Sequence, residues 1–277
     1  MVDPGETGLS DWVRKDIDAG TECRLRVWYR PGEEHWTRIA LNYWRNQQPG
    51  LEHVHNSRGA IVERGQIDES PVVYYFKRYA ARDWSDRIKS AVRGTRGRRA
   101  LLAGERLETL GFHAPRAECL MERRAGLFAL ESVLIARELR GSENCGEWFH
   151  FGRGSRVERW RLLRELGREA GRFHAAGIHH GDMRKTNILF TPQSDGDYRF
   201  FWLDNERNRF YRSLPEPQRV HNLMQLNMDK QGISRSDRMR FWNAYLETAK
   251  VPPETKRRIM GQVIRWTRKR WIKRGWL

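Results

Sequence analysis

Eight residues, His180-Gly181-Asp182-Met183-Arg184-Lys185-Thr186-Asn187, constrain this chain more than any other feature. Upstream of them, Val157, Leu162, Leu163, Leu166, Ala170 and Phe173 recur at about 3.6 residues and predict a helix that Gly177 ends. Downstream, residues 188–190 (ILF) and 199–203 (RFFWL) predict two short strands around the loop TPQSDGDY. A polar octet between a long helix and a pair of short strands reads as a loop presented by rigid elements, the usual seat of chemistry.

The octet carries the parts that phosphoryl transfer requires. An acceptor hydroxyl must be held in line with the γ-phosphate, and a metal ion must neutralise the phosphates. Asp182, a carboxylate able to accept the hydroxyl proton, and Asn187, an amide able to ligate metal, fit the kinase spacing HxDxxxxN. Gly181 stands where protein kinases carry Arg, and Arg184 stands two after the Asp, where it is assigned to the γ-phosphate. Asp204 ends the apolar run FFWL and is the expected second Mg²⁺ ligand, in Asp204-Asn205-Glu206 rather than Asp-Phe-Gly. Lys77, in VVYYFKRY, sits where a strand lysine meets the α- and β-phosphates of ATP. Gly59 is the single glycine of a weak phosphate loop, His55 to Ala60. Glu105, with Glu108 as the other choice, is the candidate partner of Lys77. Glu138-Leu139 is the candidate backbone facing adenine. Each signal has a plainer reading taken alone: a capped turn for His-Gly-Asp, a strand end for Asp204, a solvated strand lysine for Lys77. Their order and spacing together favour the phosphotransferase.

The rest of the chain predicts an α+β, two-lobed, protein-kinase-like fold. Strands are expected at residues 23–29, 58–64, 71–79, 117–121 and 131–136, with His35 to Leu41 pairing back as a hairpin across Pro31-Gly32. A helix is expected over about 97–110, around Leu101, Leu102, Leu107 and Leu110. The boundaries read as a β-rich N-lobe at 1–137 with that one helix and a frayed start over residues 1–10, a connector at 138–147, and a helical C-lobe at 148–277. Three helices close the chain, the second starting at Ser234 with a capping-box-like Asp237.

Charge narrows the partners. Fifty-two Lys and Arg against 35 Asp and Glu give +17, a surface that attracts polyanions. No helix-turn-helix, RNP or zinc-finger signature is present, so a nucleic-acid partner is not expected. Residues 254–277 carry nine Lys/Arg and one acidic residue beside an apolar set of Ile259, Met260, Val263, Ile264, Trp266 and Trp271. That pattern suits either an anionic bilayer surface or a helix packed on the C-lobe. Cys23, Cys119 and Cys145 form no metal or CxxC spacing, which points to reduced thiols. With no signal sequence and no apolar run of about 20 residues, a cytoplasmic protein is expected, with peripheral association with the inner membrane as a further option.

Three stretches resemble the lipopolysaccharide kinase (Kdo/WaaP) family: Arg98 to Leu107 running on to Leu110-Gly111-Phe112-His113-Ala114-Pro115-Arg116, His180 to Leu189 with Trp202-Leu203-Asp204, and Ser234 to Leu246. The resemblance spans roughly residues 57–250. It implies transfer from ATP, with Mg²⁺, to a 3-deoxy-manno-octulosonate (Kdo) or heptose hydroxyl of the lipid A–core region. It makes Asp182 the base, Asn187 and Asp204 the metal ligands and Lys77 the ATP lysine. The acceptor would be a lipopolysaccharide core glycolipid at an anionic inner-membrane surface. The competing readings are a phosphotransferase for a soluble small molecule and a non-catalytic pseudokinase scaffold. No Ala-Pro-Glu follows Asp204, so a platform for protein substrates is not expected.

Overall fold

The computed structural model describes residues 9–18, 23–48, 50–57, 59–67, 70–81, 83–126, 128–194, 196–229 and 232–276. Residues 1–8, most of the start expected to be frayed, lie outside them, as do Arg58 and Arg82. The chain forms two compact units, Met1–Arg106 with Pro115–Arg140, and Leu107–Ala114 with Gly141–Leu277.

The first unit is built on a seven-stranded antiparallel sheet in the order β1-β2-β6-β7-β5-β4-β3. Its strands are β1 (Val13–Asp18), β2 (Arg24–Tyr29), β3 (Glu52–Ser57), β4 (Ala60–Gln66), β5 (Val73–Ala80), β6 (Ala117–Ala125) and β7 (Phe128–Arg137). Alternate residues of one strand serve opposite faces. Leu25, Val27, Cys119, Met121, Val133 and Ile135 go to one core, with Trp36, Ile39 and Phe76. Trp28 and Leu120 go to another, with Leu101 of helix α3 (Arg96–Thr109). Both faces of the sheet are therefore covered.

Residues His35–Trp44 form a helix, α1, and not the expected hairpin strand. Trp, Thr and Ile favour strands locally. Over the full ten residues, however, Trp36, Ile39, Ala40 and Tyr43 are the buried positions, spaced i, i+3, i+4, i+7. Helical periodicity and burial outweigh β-propensity here. The basic stretch after β5 also folds, into α2 (Trp84–Arg93), whose first turn is capped by Asp83 accepting from the Asp86 amide at 2.8 Å. Among the described residues the first unit thus has two helices besides α3, not the single one expected.

The second unit is mostly helical. It contains α4 (Cys145–His150), α5 (Arg156–Ala175), α6 (Glu216–Leu226), α7 (Arg235–Thr248) and α8 (Pro253–Lys273). Short strands β8 (Glu143–Asn144), β10 (Ile188–Pro192) and β11 (Tyr198–Trp202) form a three-stranded sheet, and β9 (Ile178–His179) pairs with β12 (Arg209–Phe210). Ser155 and Ser234 cap α5 and α7 through full capping boxes with Glu158 and Asp237. One core joins Leu162, Leu166, Phe173, Ile188, Trp202 and Tyr245 beneath the loop between β9 and β10. Helix α8 packs on this unit through Ile259, Val263 and Thr267, and the Trp271 indole donates to the Met228 carbonyl at 2.6 Å. Ile264 and Trp266 remain exposed, so α8 is one part structural and one part free surface. No described helix is long and apolar enough to cross a membrane.

Candidate active site

The loop from His180 to Asn187 is presented by alternation. Met183 and Lys185 turn into the helical core, while Asp182, Arg184 and Thr186 do not. Lys185 is anchored by Asp229 at 2.6 Å and by the Leu226 carbonyl at 3.3 Å. Burial pulls its amine below the usual lysine range, and the Asp229 carboxylate opposes that shift. Two inward side chains therefore pin the loop, and the residues between them face outward.

His180 ties the loop to the strand that carries Asp204. Its Nδ1 accepts from the Asp182 amide at 3.1 Å, which leaves the proton on Nε2 for the Leu203 carbonyl at 2.9 Å. Burial lowers its pKa and keeps the ring neutral in this bridge. Asn187 closes the loop from the other side: its side-chain amide nitrogen donates to the Asp182 backbone carbonyl at 2.9 Å, and its own backbone carbonyl accepts from the Leu203 amide at 2.9 Å. Asp182, Asn187 and Asp204 thus belong to one hydrogen-bonded segment. Asp204 has φ 59°, in the left-handed region that Asp tolerates better than most residues. Non-Gly residues held there gather at functional sites.

Gly181 is required by close approach. A Cβ there would stand 2.1 Å from Cβ of Arg207, in the 3-10 turn Asn205–Arg207 that follows Asp204. An arginine at this position, as in protein kinases, does not fit that packing.

Sequence reasoning missed the floor of the site. On α6, Asn222 accepts from the His180 amide at 3.0 Å and donates to the His180 carbonyl at 2.6 Å. One turn on, Gln225 accepts from the Met183 amide at 3.0 Å and donates to Oδ1 of Asp182 at 3.2 Å. Arg184 Nε contacts the same oxygen at 2.9 Å. Asn222 also meets His174, whose other ring nitrogen meets the Tyr245 hydroxyl at 2.9 Å, and Arg219 donates to that hydroxyl. Burial drives His174 down to about 3. The available signal was two amide residues, i and i+3, in the run Val220 to Leu226, which is otherwise apolar except for His221.

The remaining candidates lie in the first unit, except Glu108, which belongs to the second. Lys77 is central in β5, paired with Val62 of β4 and Leu134 of β7, and its ammonium sits 5.4 Å from the Tyr79 ring. Glu105 on α3 accepts from Arg30 at 2.8 Å. Glu108 is exposed at the end of α3. Gly59 occupies the β3–β4 turn with φ 91°, a conformation that favours glycine, and its carbonyl accepts from Arg96 at 2.8 Å. The Glu138 amide extends the sheet by donating to the Val73 carbonyl at 2.9 Å, while its carboxylate takes Arg64 at 2.8 Å; Leu139 follows it.

The donors near the loop suit Mg²⁺. Asn187 and Asp204 supply hard oxygens, and Asn187 spends its amide nitrogen on Asp182, which fixes its oxygen as the group offered to a cation. Among the described residues no cluster of three or more His, Cys, Asp or Glu makes a metal site by itself. One carboxylate plus one amide is a set that holds Mg²⁺ jointly with phosphate oxygens.

This sheet unit, this helical unit and this loop define a protein-kinase-like fold. Among solved structures the chain is similar to WaaP in complex with acyl carrier protein, at 21% identity and TM-score 0.60, covering 90% of this chain and 98% of that one. Over residues 22–245 it matches the lipopolysaccharide kinase (Kdo/WaaP) family, and it belongs to that family of phosphotransferases. Membership implies use of ATP. No curated protein matches the chain.

Proposed function

We propose that this protein transfers the γ-phosphoryl group of ATP, with Mg²⁺, to a Kdo or heptose hydroxyl of the lipid A–core region of lipopolysaccharide, presented at an anionic inner-membrane surface. The observation that carries the reading is the hydrogen-bonded segment holding Asp182, Asn187 and Asp204, with Gln225 fixing the Asp182 carboxylate. In this reading Asp182 accepts the proton of the acceptor hydroxyl as its oxygen bonds to the γ-phosphorus and the bond to the ADP oxygen breaks. Arg184, about half exposed and already against Asp182, steadies the phosphoryl oxygens. Asn187 and Asp204 hold Mg²⁺, which neutralises phosphate charge.

In this reading residues 1–137 are the N-lobe, 138–147 the hinge and 148–277 the C-lobe. Lys77 takes the α- and β-phosphates with Glu105 as its partner, Gly59 lies in the phosphate loop, and the Glu138-Leu139 backbone faces adenine. The net charge of +17 favours an anionic acceptor over a cationic soluble one, and the intact Asp182, Asn187, Asp204 and Lys77 speak against a pseudokinase. A second partner is an acyl carrier protein, as in the WaaP complex. A half-open cavity of about 600 Å³ in the second unit supports it, lined by Leu163, Leu226, Phe241, Trp242 and Ile264, an apolar lining suited to an acyl chain.

The test is γ-labelled ATP with lipopolysaccharide cores truncated sugar by sugar. Label should enter until the acceptor sugar is removed. Asp182→Ala should lower turnover by about 10³-fold while nucleotide binding persists. Turnover of Asp182→Ala at the wild-type rate removes the proposal. Label entering only soluble amino-sugar acceptors favours the soluble phosphotransferase.

A further inference from the structure

Helix α2 is built inside out. Surface helices normally turn their apolar stripe to the core and their polar face to water. On α2 the half-buried residues are Asp86, Arg87 and Ser90, and Asp86 and Ser90 line a small hollow with Thr95, Arg96 and Arg99. Trp84, Ile88 and Val92 face outward, at 66%, 56% and 78% exposure. At about 100° per residue, these three and Ala91 fall within roughly 100° of arc. Phe128, at the start of β7, adds its ring edge-on to Trp84 at 6.3 Å, and Arg87 lies 4.9 Å from the Trp84 ring. The result is an apolar ridge bordered by a guanidinium, exposed among the described residues.

Charge and size decide what covers it. Residues 82–99 hold seven Lys/Arg against two Asp, on a chain of +17. A second copy would bring like charge to the same patch, which opposes self-association. The ridge exposes a few hundred Å² of apolar side chain, short of the roughly 800 Å² per partner that a stable protein interface buries. It is the right scale for shallow insertion at a bilayer surface, where Trp and aliphatic side chains enter the headgroup boundary and flanking basic residues meet lipid phosphates.

We infer that α2 is a membrane-docking helix, with Trp84, Ile88, Val92 and Phe128 inserting into an anionic phospholipid surface and the basic residues around them binding its headgroups. This deepens the membrane-surface part of the proposed function and assigns it to a particular element. Its readout does not depend on catalysis.

The full chain is floated with vesicles of phosphatidylcholine and phosphatidylglycerol in equal parts, and with phosphatidylcholine alone. Wild type should bind the former and not the latter. The combined Trp84→Ser, Ile88→Ser and Val92→Ser variant should lose binding by about tenfold or more while phosphorylating a soluble core oligosaccharide as wild type does. In the unmodified protein, amides of residues 84–93 should gain protection from hydrogen exchange on the anionic vesicles. Unchanged vesicle binding by the triple variant overturns the inference. So does protection confined to α8 with none on α2, and so does wild-type self-association that the triple variant abolishes without any lipid binding. If no core sugar is phosphorylated, the kinase proposal fails while the vesicle result still decides the role of α2.

Discussion

In the second unit, the candidate base and metal residues lie within 23 positions of one another, Asp182 to Asp204, and rest on buried polar groups of α5, α6 and α7. In the first unit, Gly59, Lys77, Glu105 and Glu138 come from four separate elements, and three of them are engaged with arginines at partly exposed positions. Buried, fully satisfied polar networks fix geometry tightly, whereas exposed ion pairs exchange readily with water and ligand. The comparison assigns rigid preorganisation to the half proposed to do chemistry and an adjustable ion-pair layer to the half proposed to hold nucleotide.

The largest expected effect tests the rigid half. Asp204→Asn and Asn187→Ala should each lower kcat by roughly 10²–10³-fold and weaken the Mg²⁺ dependence of the rate. A rate unchanged by chelator, in wild type or variants, would place the chemistry elsewhere.

Gln225→Ala comes next. It removes the donor to Asp182 and the acceptor for Met183, so kcat should fall roughly 10- to 100-fold with little change in KM for ATP. Partial rescue by Gln225→Asn with shifted pH dependence would mark a positioning role. Loss of folding without any kinetic change in the folded fraction would reduce Gln225 to a structural residue.

Acid should distinguish the halves by stability. His174, held down to about 3, His179, held down to about 4 by burial and by neighbouring His221, and His180, also lowered by burial, all lie in the second unit. Unfolding frees these rings to protonate near 6.5. Below that pH the unfolded chain binds more protons, so stability is complete above about 6.5 and is lost as pH falls toward 4, by roughly 1 kcal/mol per pH unit for each ring. His113 and His221 of the same unit, also lowered by burial, add to this loss, and Glu169, whose carboxyl burial raises, opposes it as one group against five. Hydrogen exchange between pH 7 and 4.5 should show α5 and α6 losing protection before β5 to β7. Simultaneous loss would break the comparison.

The smallest effect belongs to the adjustable half. Arg30→Met frees Glu105 and should change unfolding free energy by less than about 1 kcal/mol. If Glu105 serves Lys77, nucleotide affinity should rise or hold after Arg30→Met and fall after Glu105→Gln. No response of ATP binding to Glu105→Gln would assign the carboxylate to Arg30 alone.

The legible parts of the sequence were the local ones. The period of α5, the capping box at Ser234 and the strands flanking the loop all depend on residues within one or two turns of each other, and all are present. Asp204 was found because it ends an apolar strand. Helix α1 was misread because the reading stopped at Leu41, before Tyr43 completed the helical period. Helix α2 left no apolar core face to detect, since its apolar side turns away from the sheet.

What the sequence determined by itself was the set of functional groups and their order: a carboxylate, an amide and a second carboxylate at kinase spacing, a strand lysine, and a surplus of positive charge. These follow from residue identity and short-range periodicity. Only tertiary structure decided that Asn222 and Gln225, some 40 positions downstream, carry the loop. It alone decided that Glu105 meets Arg30 across 75 positions, and that Gly181 must be glycine because the turn after Asp204 passes within a methyl group's width of it. The physical reason is that such contacts form where folded elements cross, and no local pattern of propensity or period encodes which distant residue arrives there.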